Sequence, residues 1–197
     1  MKNIKYIIVA IFFIGFLNSC NDDFINVDNK EVLTEESFWQ TEDHAMQALT
    51  ATYAAMQSSS GSKWEFFEEI YTSMAYRADD VENNTAETYG RSLASFTNTT
   101  EESGPFSVWK ASYAGIGRAN QMLQQVPNME ALSDETKKGL VAEAKFLRAY
   151  YYFWLVTGFE NVPLVTTFSG ELENLFPNQA APTAVWTQIE TDLSEAE

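Results

Sequence analysis

One cysteine and one histidine are all the thiol and imidazole in this 197-residue sequence. A single cysteine cannot close an internal disulfide, and the two residues together fall short of any Cys/His zinc site. Positive charge is scarce as well: twelve Lys and Arg stand against twenty-eight Asp and Glu, a net charge of −16. That excess repels phosphate backbones and anionic headgroups, which excludes nucleic acid as a partner. No Gly-x-Ser-x-Gly or His-Glu-x-x-His motif occurs, so neither an enzymatic reaction nor a cofactor has a foothold. What the sequence does have is apolar material. A hydrophobic fraction of 45% with 14% aromatics is enough to bury the core of one domain.

The first residues read as an address. Lys2 and Lys5 precede an apolar run from Ile7 to Leu17, broken only by Gly15. Crossing a bilayer takes about 20 apolar residues, so the run is too short for a permanent span and fits a cleaved signal peptide over residues 1–19. Cys20 follows Leu17-Asn18-Ser19, which resembles the bacterial lipoprotein box, in which the cysteine is lipidated; an ordinary secretory signal is the alternative. Several acyl chains on one residue anchor stably where one chain binds reversibly. Asn21, Asp22 and Asp23 resemble the acidic tract that directs lipoproteins of the Bacteroidota to the outer face of the outer membrane. Residues 20–40 then read as an acidic tether and leading arm, and residues 41–197 as the folded domain.

Helical periodicity organises that domain. Thr41 is placed to cap a helix over 42–57 with Ala45, Ala48, Leu49, Thr52, Tyr53 and Met56 on one face. A loop at Ser58 to Ser62 separates it from a second helix over 64–76. Residues 77–104 show little periodicity and read as a long loop, a class of segment that often carries binding surfaces. Pro105 fits the first turn of a helix striped by Trp109, Tyr113, Ile116, Asn120 and Leu123, ending before Pro127. Ser133 caps the longest helix, with Leu140, Ala144, Leu147, Tyr151 and Trp154 or Leu155 inward and Gly158 placed to stop it. Val162 to Val165 is extended and 169–182 is a loop. A last helix from Thr183 carries Val185, Trp186, Ile189 and Leu193 on one side, with no following helix to cover them. The pattern predicts an all-α array of helical hairpins of the tetratricopeptide kind, incomplete at its C-terminus.

Three stretches carry a family resemblance: Trp109, Tyr113, Ile116 with Arg118-Ala119-Asn120; Ala142 to Tyr150 with Tyr152-Phe153 and Val162-Pro163-Leu164; and Trp186 to Glu190 with Asp192-Leu193 and Glu195-Ala196. Phe38-Trp39 before the Thr41-Glu42-Asp43 cap fits too. In order and spacing the chain resembles the N-terminal half of the SusD/RagB family of outer-membrane nutrient-binding lipoproteins. It departs from the family at Ala142 and at Glu160, where glycine is usual. The resemblance implies a surface lipoprotein that captures a glycan, or less often a peptide, and passes it to a SusC-like TonB-dependent transporter. It implies binding and no catalysis. A helical-repeat scaffold that binds only proteins is the competing expectation.

Individual residues divide between architecture and recognition. The aromatic stripes read as core, Arg118, Glu143 and Arg148 as pairing between neighbouring helices, and His44 as a surface residue in the first turn of its helix. Sugar recognition needs flat apolar faces for stacking, with carboxylate, amide or guanidinium groups for the hydroxyls. The 77–104 segment supplies both. Its candidates are Asp79, Asp80, Tyr89, Arg91 and Phe96, with Asn83 and Asn84 nearby. The competing reading has Tyr89 and Phe96 pinning the segment to the core while Asp79-Asp80 forms a turn.

Overall fold

A computed structural model describes residues 35–57, 65–81, 88–99, 103–168 and 176–197. The signal segment, Cys20, the acidic tract and the Ser58 to Ser62 loop lie outside the described residues. The chain divides into two compact units, Met1–Ser37 and Phe38–Glu197; of the first, only the start of a one-turn helix, α1 (Glu35–Phe38), is described.

The second unit is built from helices: α2 (Glu42–Ala54, extended by a 3₁₀ turn over Ala55–Gln57), α3 (Glu65–Ala75), α4 (Thr88–Ala94), α5 (Ser103–Gln125), α6 (Asp134–Phe159) and α7 (Pro182–Ser194). Both expected caps form. The Thr41 hydroxyl accepts the His44 N–H at 3.3 Å, and the Ser133 hydroxyl accepts the Thr136 N–H at 3.1 Å. The Ser133 hydroxyl serves a first-turn N–H of the kind a helix leaves without an intrahelical carbonyl, while the His44 N–H is shared with Thr41 O at 3.1 Å. Glu42 and Asp43, and Asp134 and Glu135, place negative charge at the positive ends of α2 and α6.

Helices α5 and α6 form the central hairpin. Trp109 meets Phe159, Gly115 meets Tyr151 and Asn120 meets Arg148, so the two helices run antiparallel. Helices α2 and α3 pack against α5, and α7 against α6. Most of the predicted stripe residues face this core: Ala45, Leu49, Ile116, Leu140, Ala144, Leu147, Tyr151 and Leu155 are buried, whereas Tyr53, expected on the α2 stripe, is 39% exposed. The Tyr151 hydroxyl donates to Thr52 O at 2.5 Å, joining α6 to α2.

Four expectations are corrected. Residues 77–104 are not one long loop, because they contain α4. With seven residues and Leu93 as its buried large side chain, α4 is too short to show a period, and the burial of Leu93 holds it in place. Gly158 does not end α6. The helix continues to Phe159, whose ring packs edge-on against Trp109 at 5.1 Å, and Glu160 takes the positive φ of 59° at the C-cap. On α7, Val185 and Ile189 are buried, because α6 covers that side; Trp186 and Leu193 remain 39% and 42% exposed. His44 is half-buried and stacks on Phe38 at 5.1 Å, its Nδ1 accepting the Gln40 N–H at 3.4 Å.

After α6 the chain runs extended and makes a two-residue antiparallel pairing, β1 (Val162–Pro163) with β2 (Gln179–Ala180). The rest of this stretch is held by side chains of the hairpin. Tyr113 donates to Pro163 O at 2.7 Å and Asn120 to Val165 O at 2.9 Å. The Tyr152 hydroxyl both donates to Val165 O and accepts from Val165 N, doing the work of a neighbouring strand.

Burial sets a limit on these tyrosines at high pH. It pushes the Tyr152 phenol up to about 12, and raises Tyr113 and Tyr151 well above the usual value near 10. In the unfolded chain all three ionise near pH 10, so their contribution is whole below that and is lost as pH climbs through the folded values. Stability is therefore expected to stay level up to about pH 10 as far as these groups act, and to fall beyond it. Phenolate absorbance read beside far-ultraviolet circular dichroism checks this. The buried phenols should titrate in one step with loss of helix, and smooth ionisation of all nine tyrosines with the helical signal intact would contradict it.

Candidate functional site

The end of the hairpin where α6 stops and α5 starts is open. A groove of about 450 Å³ lies there, lined by Asn98, Thr99, Pro105, Phe106, Trp109 and Phe159. Its origin is geometric. Phe106 continues the α5 stripe one turn past Trp109, where α6 has already ended at Phe159, and its ring is 66% exposed. Trp109 is half-buried, tilted against Tyr113 at 5.0 Å and fixed by the edge of Phe159. The opposite wall comes from the segment after α4. There the Asn98 Oδ1 accepts from Arg77 Nη2 at 3.2 Å, tying that wall to the chain leaving α3.

A second cavity of about 260 Å³, lined among others by Met74, Arg77, Leu93 and Trp154, shares Pro105 and Phe159 with the groove. Among the described residues the groove lining carries no charged side chain. It combines ring faces with an amide and a hydroxyl, a composition that suits a neutral ligand with both apolar faces and hydroxyls. Among the described residues no group of three or more His, Cys, Asp or Glu is placed to hold a metal ion, and no helix is long and apolar enough to cross a membrane.

The residues singled out from the sequence are absent from the described groove lining and, as far as they are described, do not form one cluster. Asp79 and Asp80 are exposed in the turn after α3. Arg91 is exposed on α4 and Phe96 is 69% exposed just beyond it. Tyr89 lies on α4, with its side chain outside the described residues. Among the described residues no hydrogen bond or ion pair joins Asp79, Asp80 and Arg91 to one another. The groove residues Asn98, Phe106 and Phe159 were not singled out. The legible signal was Phe106, a large ring on the α5 stripe beyond the reach of any partner helix.

Farther along the hairpin a buried polar network joins α5, α6 and α7. Arg148 donates from Nε and Nη2 to both carboxylate oxygens of Asp192 at 2.8 and 2.6 Å, and from Nη1 to Asn120 Oδ1 at 2.8 Å and Thr166 O at 2.9 Å. Gln188 donates to Asp192 Oδ1 at 3.0 Å. The expected inter-helix role of Arg148 thus holds, with Asp192 as the partner that sequence reading did not name. Arg118 and Glu143 also bridge helices, each to α2: Arg118 donates to Ala51 O, and Glu143 accepts from the Tyr53 hydroxyl at 2.9 Å. Charge-assisted bonds of this kind fix orientation as well as adding energy.

Fold and hairpin-end groove define a helical-hairpin array that leaves an aromatic-edged groove open on one end. Residues 23–197 match a SusD-like family described as starch-binding and associating with the outer membrane. The chain belongs to the SusD-like family. A SusD-like protein of Formosa agariphila is 27% identical over 200 residues, covering 100% of this chain and 37% of that protein. A solved laminarin-binding SusD-like protein is 37% identical, with a TM-score of 0.66 over 80% of this chain and 34% of its own. A SusD superfamily structure from Bacteroides vulgatus is 23% identical with a TM-score of 0.71 over 81% of this chain and 34% of its own, which shows the fold. The chain thus spans about a third of the length of these relatives.

Proposed function

We propose that the chain is the glycan-capturing part of a nutrient-uptake lipoprotein, and that it holds neutral glucans in the groove at the open end of the α5/α6 hairpin. The observation that carries this reading is the groove lining: a ring-bearing wall of Phe106 and Trp109 with Asn98 and Thr99 opposite, and no charged side chain among these described lining residues. Pyranose rings present C–H faces to aromatic rings and hydroxyls to amides, and a neutral ligand suits a chain whose net charge is −16. The laminarin-binding relative supplies the first probe. Asp79, Asp80, Tyr89, Arg91 and Phe96 belong to the reading as further contacts around the groove.

Capture, not catalysis, is the activity. In the same reading Cys20 carries the lipid that holds the protein on the outer face of the outer membrane, behind the signal segment of residues 1–19. The captured glycan passes to a SusC-like TonB-dependent transporter. The helical array is the body that sits against that partner.

Electrophoresis of the chain through gels containing laminarin or soluble starch tests the groove. The chain is expected to be retarded by one of these neutral glucans. Phe106→Ala, which removes an exposed ring and leaves the core intact, is expected to weaken binding by roughly five- to tenfold. Retardation unchanged by Phe106→Ala, or absent in both polymers, would contradict the reading.

A further inference from the structure

The indole nitrogen of Trp154 is a buried donor with no hydrogen-bond acceptor among the described residues. Arg148, Tyr151 and Tyr152, buried on the same helix, all find partners. An indole N–H can only donate, and a donor left unmet in the interior is a standing cost to the fold. Edge contacts with Phe153 at 5.3 Å and Tyr150 at 6.2 Å hold the ring where it is.

Trp154 lines the 260 Å³ cavity where α3, α4, α5 and α6 meet. The walls around it are apolar, among them Ile70, Leu93, Val108 and Phe159, and Arg77 is the one charged side chain of the described lining. Arg77 gives its Nη2 to the uncharged Asn98 amide, and among the described residues no carboxylate forms an ion pair with it. A cation without a counter-charge is notable in a chain of net charge −16. A pyranose does not suit these walls, since hydroxyls on every edge of the sugar would be buried against aliphatic carbon. At about 30 Å³ per water the cavity has the room of about eight waters, enough for an alkyl or aryl body of about six to eight carbons.

We propose that this cavity binds a small amphiphilic carboxylate, with its apolar body between the helices and its head taken by the Arg77 guanidinium and the Trp154 indole N–H. A carboxylate is the acceptor that suits both groups: it neutralises the arginine and fills the bond the indole lacks. The apolar body supplies the affinity and the two donors the selectivity for an anion. This site is separate from the glucan groove, whose described lining holds neither donor.

Isothermal calorimetry of the full chain with octanoate, and with octanol as its uncharged match, tests the proposal. Octanoate is expected to bind with a Kd of about 0.1–1 mM and octanol at least about threefold more weakly. Arg77→Gln should weaken octanoate roughly three- to fivefold and leave octanol unchanged. Trp154→Phe, which keeps a ring in the wall and removes the N–H, should weaken octanoate roughly three- to tenfold. Phe106→Ala should bind octanoate like the parent, because Phe106 lines the groove and is absent from the cavity lining. If Trp154→Phe does not fold, the parent's Trp154 indole resonance carries the same point: it should move as octanoate is added. No heat and no movement of that resonance up to about 5 mM octanoate, or octanol bound as tightly as octanoate, would overturn the proposal. So would octanoate binding that is lost in Phe106→Ala, which would put the ligand in the groove. Absence of retardation in the glucan gels would leave the cavity site untouched, so the two readings fail separately.

Discussion

Replacing Arg148 with methionine is expected to lower the stability of the fold by about 3–5 kcal/mol. The Asp192 side chain is fully buried, and its carboxylate oxygens receive Arg148 and Gln188. Without the guanidinium, the Asp192 carboxylate is left in the interior with Gln188 as its remaining described partner, while Asn120 Oδ1 and Thr166 O each lose a donor. Desolvating two charges offsets most of the attraction within the pair; what is costly is breaking it one-sidedly. The double variant Arg148→Met with Asp192→Leu should therefore recover much of the loss. Urea denaturation of the single and double variants measures both effects. A loss under about 1 kcal/mol in the single variant would mean that this network does not lock α5, α6 and α7 together.

Gly115→Ala is expected to cost about 2–3 kcal/mol, against an intrinsic helix-propensity gain of about 1 kcal/mol. A Cβ at Gly115 would run into the Tyr151 ring. That ring has nowhere to go. It is fully buried, its hydroxyl is bonded to Thr52 O, and Phe66 stands against it at 5.9 Å with Tyr150 at 6.2 Å. Gly117, two residues on, has nothing within 4 Å of where its Cβ would lie. Gly117→Ala should thus show the propensity gain alone. Melting curves of the two variants separate the effects: Gly115→Ala should fall and Gly117→Ala should rise, and a shared rise would contradict the close approach of α5 and α6.

Much of the helical frame was legible because its signals are local. Thr41 and Ser133 mark helix starts through the hydrogen bonds their own hydroxyls accept, and the stripes on α2, α5 and α6 follow from a period of 3.6 residues. Helix α4 was missed because one buried leucine in seven residues shows no period. The end of α6 was misplaced by a residue or two because Gly158 is the better stop by type, yet the contact of Phe159 with Trp109 extends the helix past it. Asp192 was invisible as a buried ion-pair partner, since on its own helix it looks like any surface carboxylate and only the packing of α7 on α6 places it beside Arg148. The groove was half-legible. The 77–104 segment was rightly expected to carry surface polar and aromatic groups, and it supplies Asn98 and Thr99, but the other wall depends on where α6 ends, which is a tertiary fact.

The central claim is that a neutral glucan lies against Trp109 and Phe106. It is tested most directly by following the five tryptophan indole N–H resonances in a nitrogen-15 correlation spectrum as laminarin oligosaccharide is added to the chain. The account predicts that the Trp109 resonance moves progressively with ligand, while that of Trp186, on α7, stays in place. A titration that leaves Trp109 unmoved, or that moves Trp186 in its stead, would contradict it.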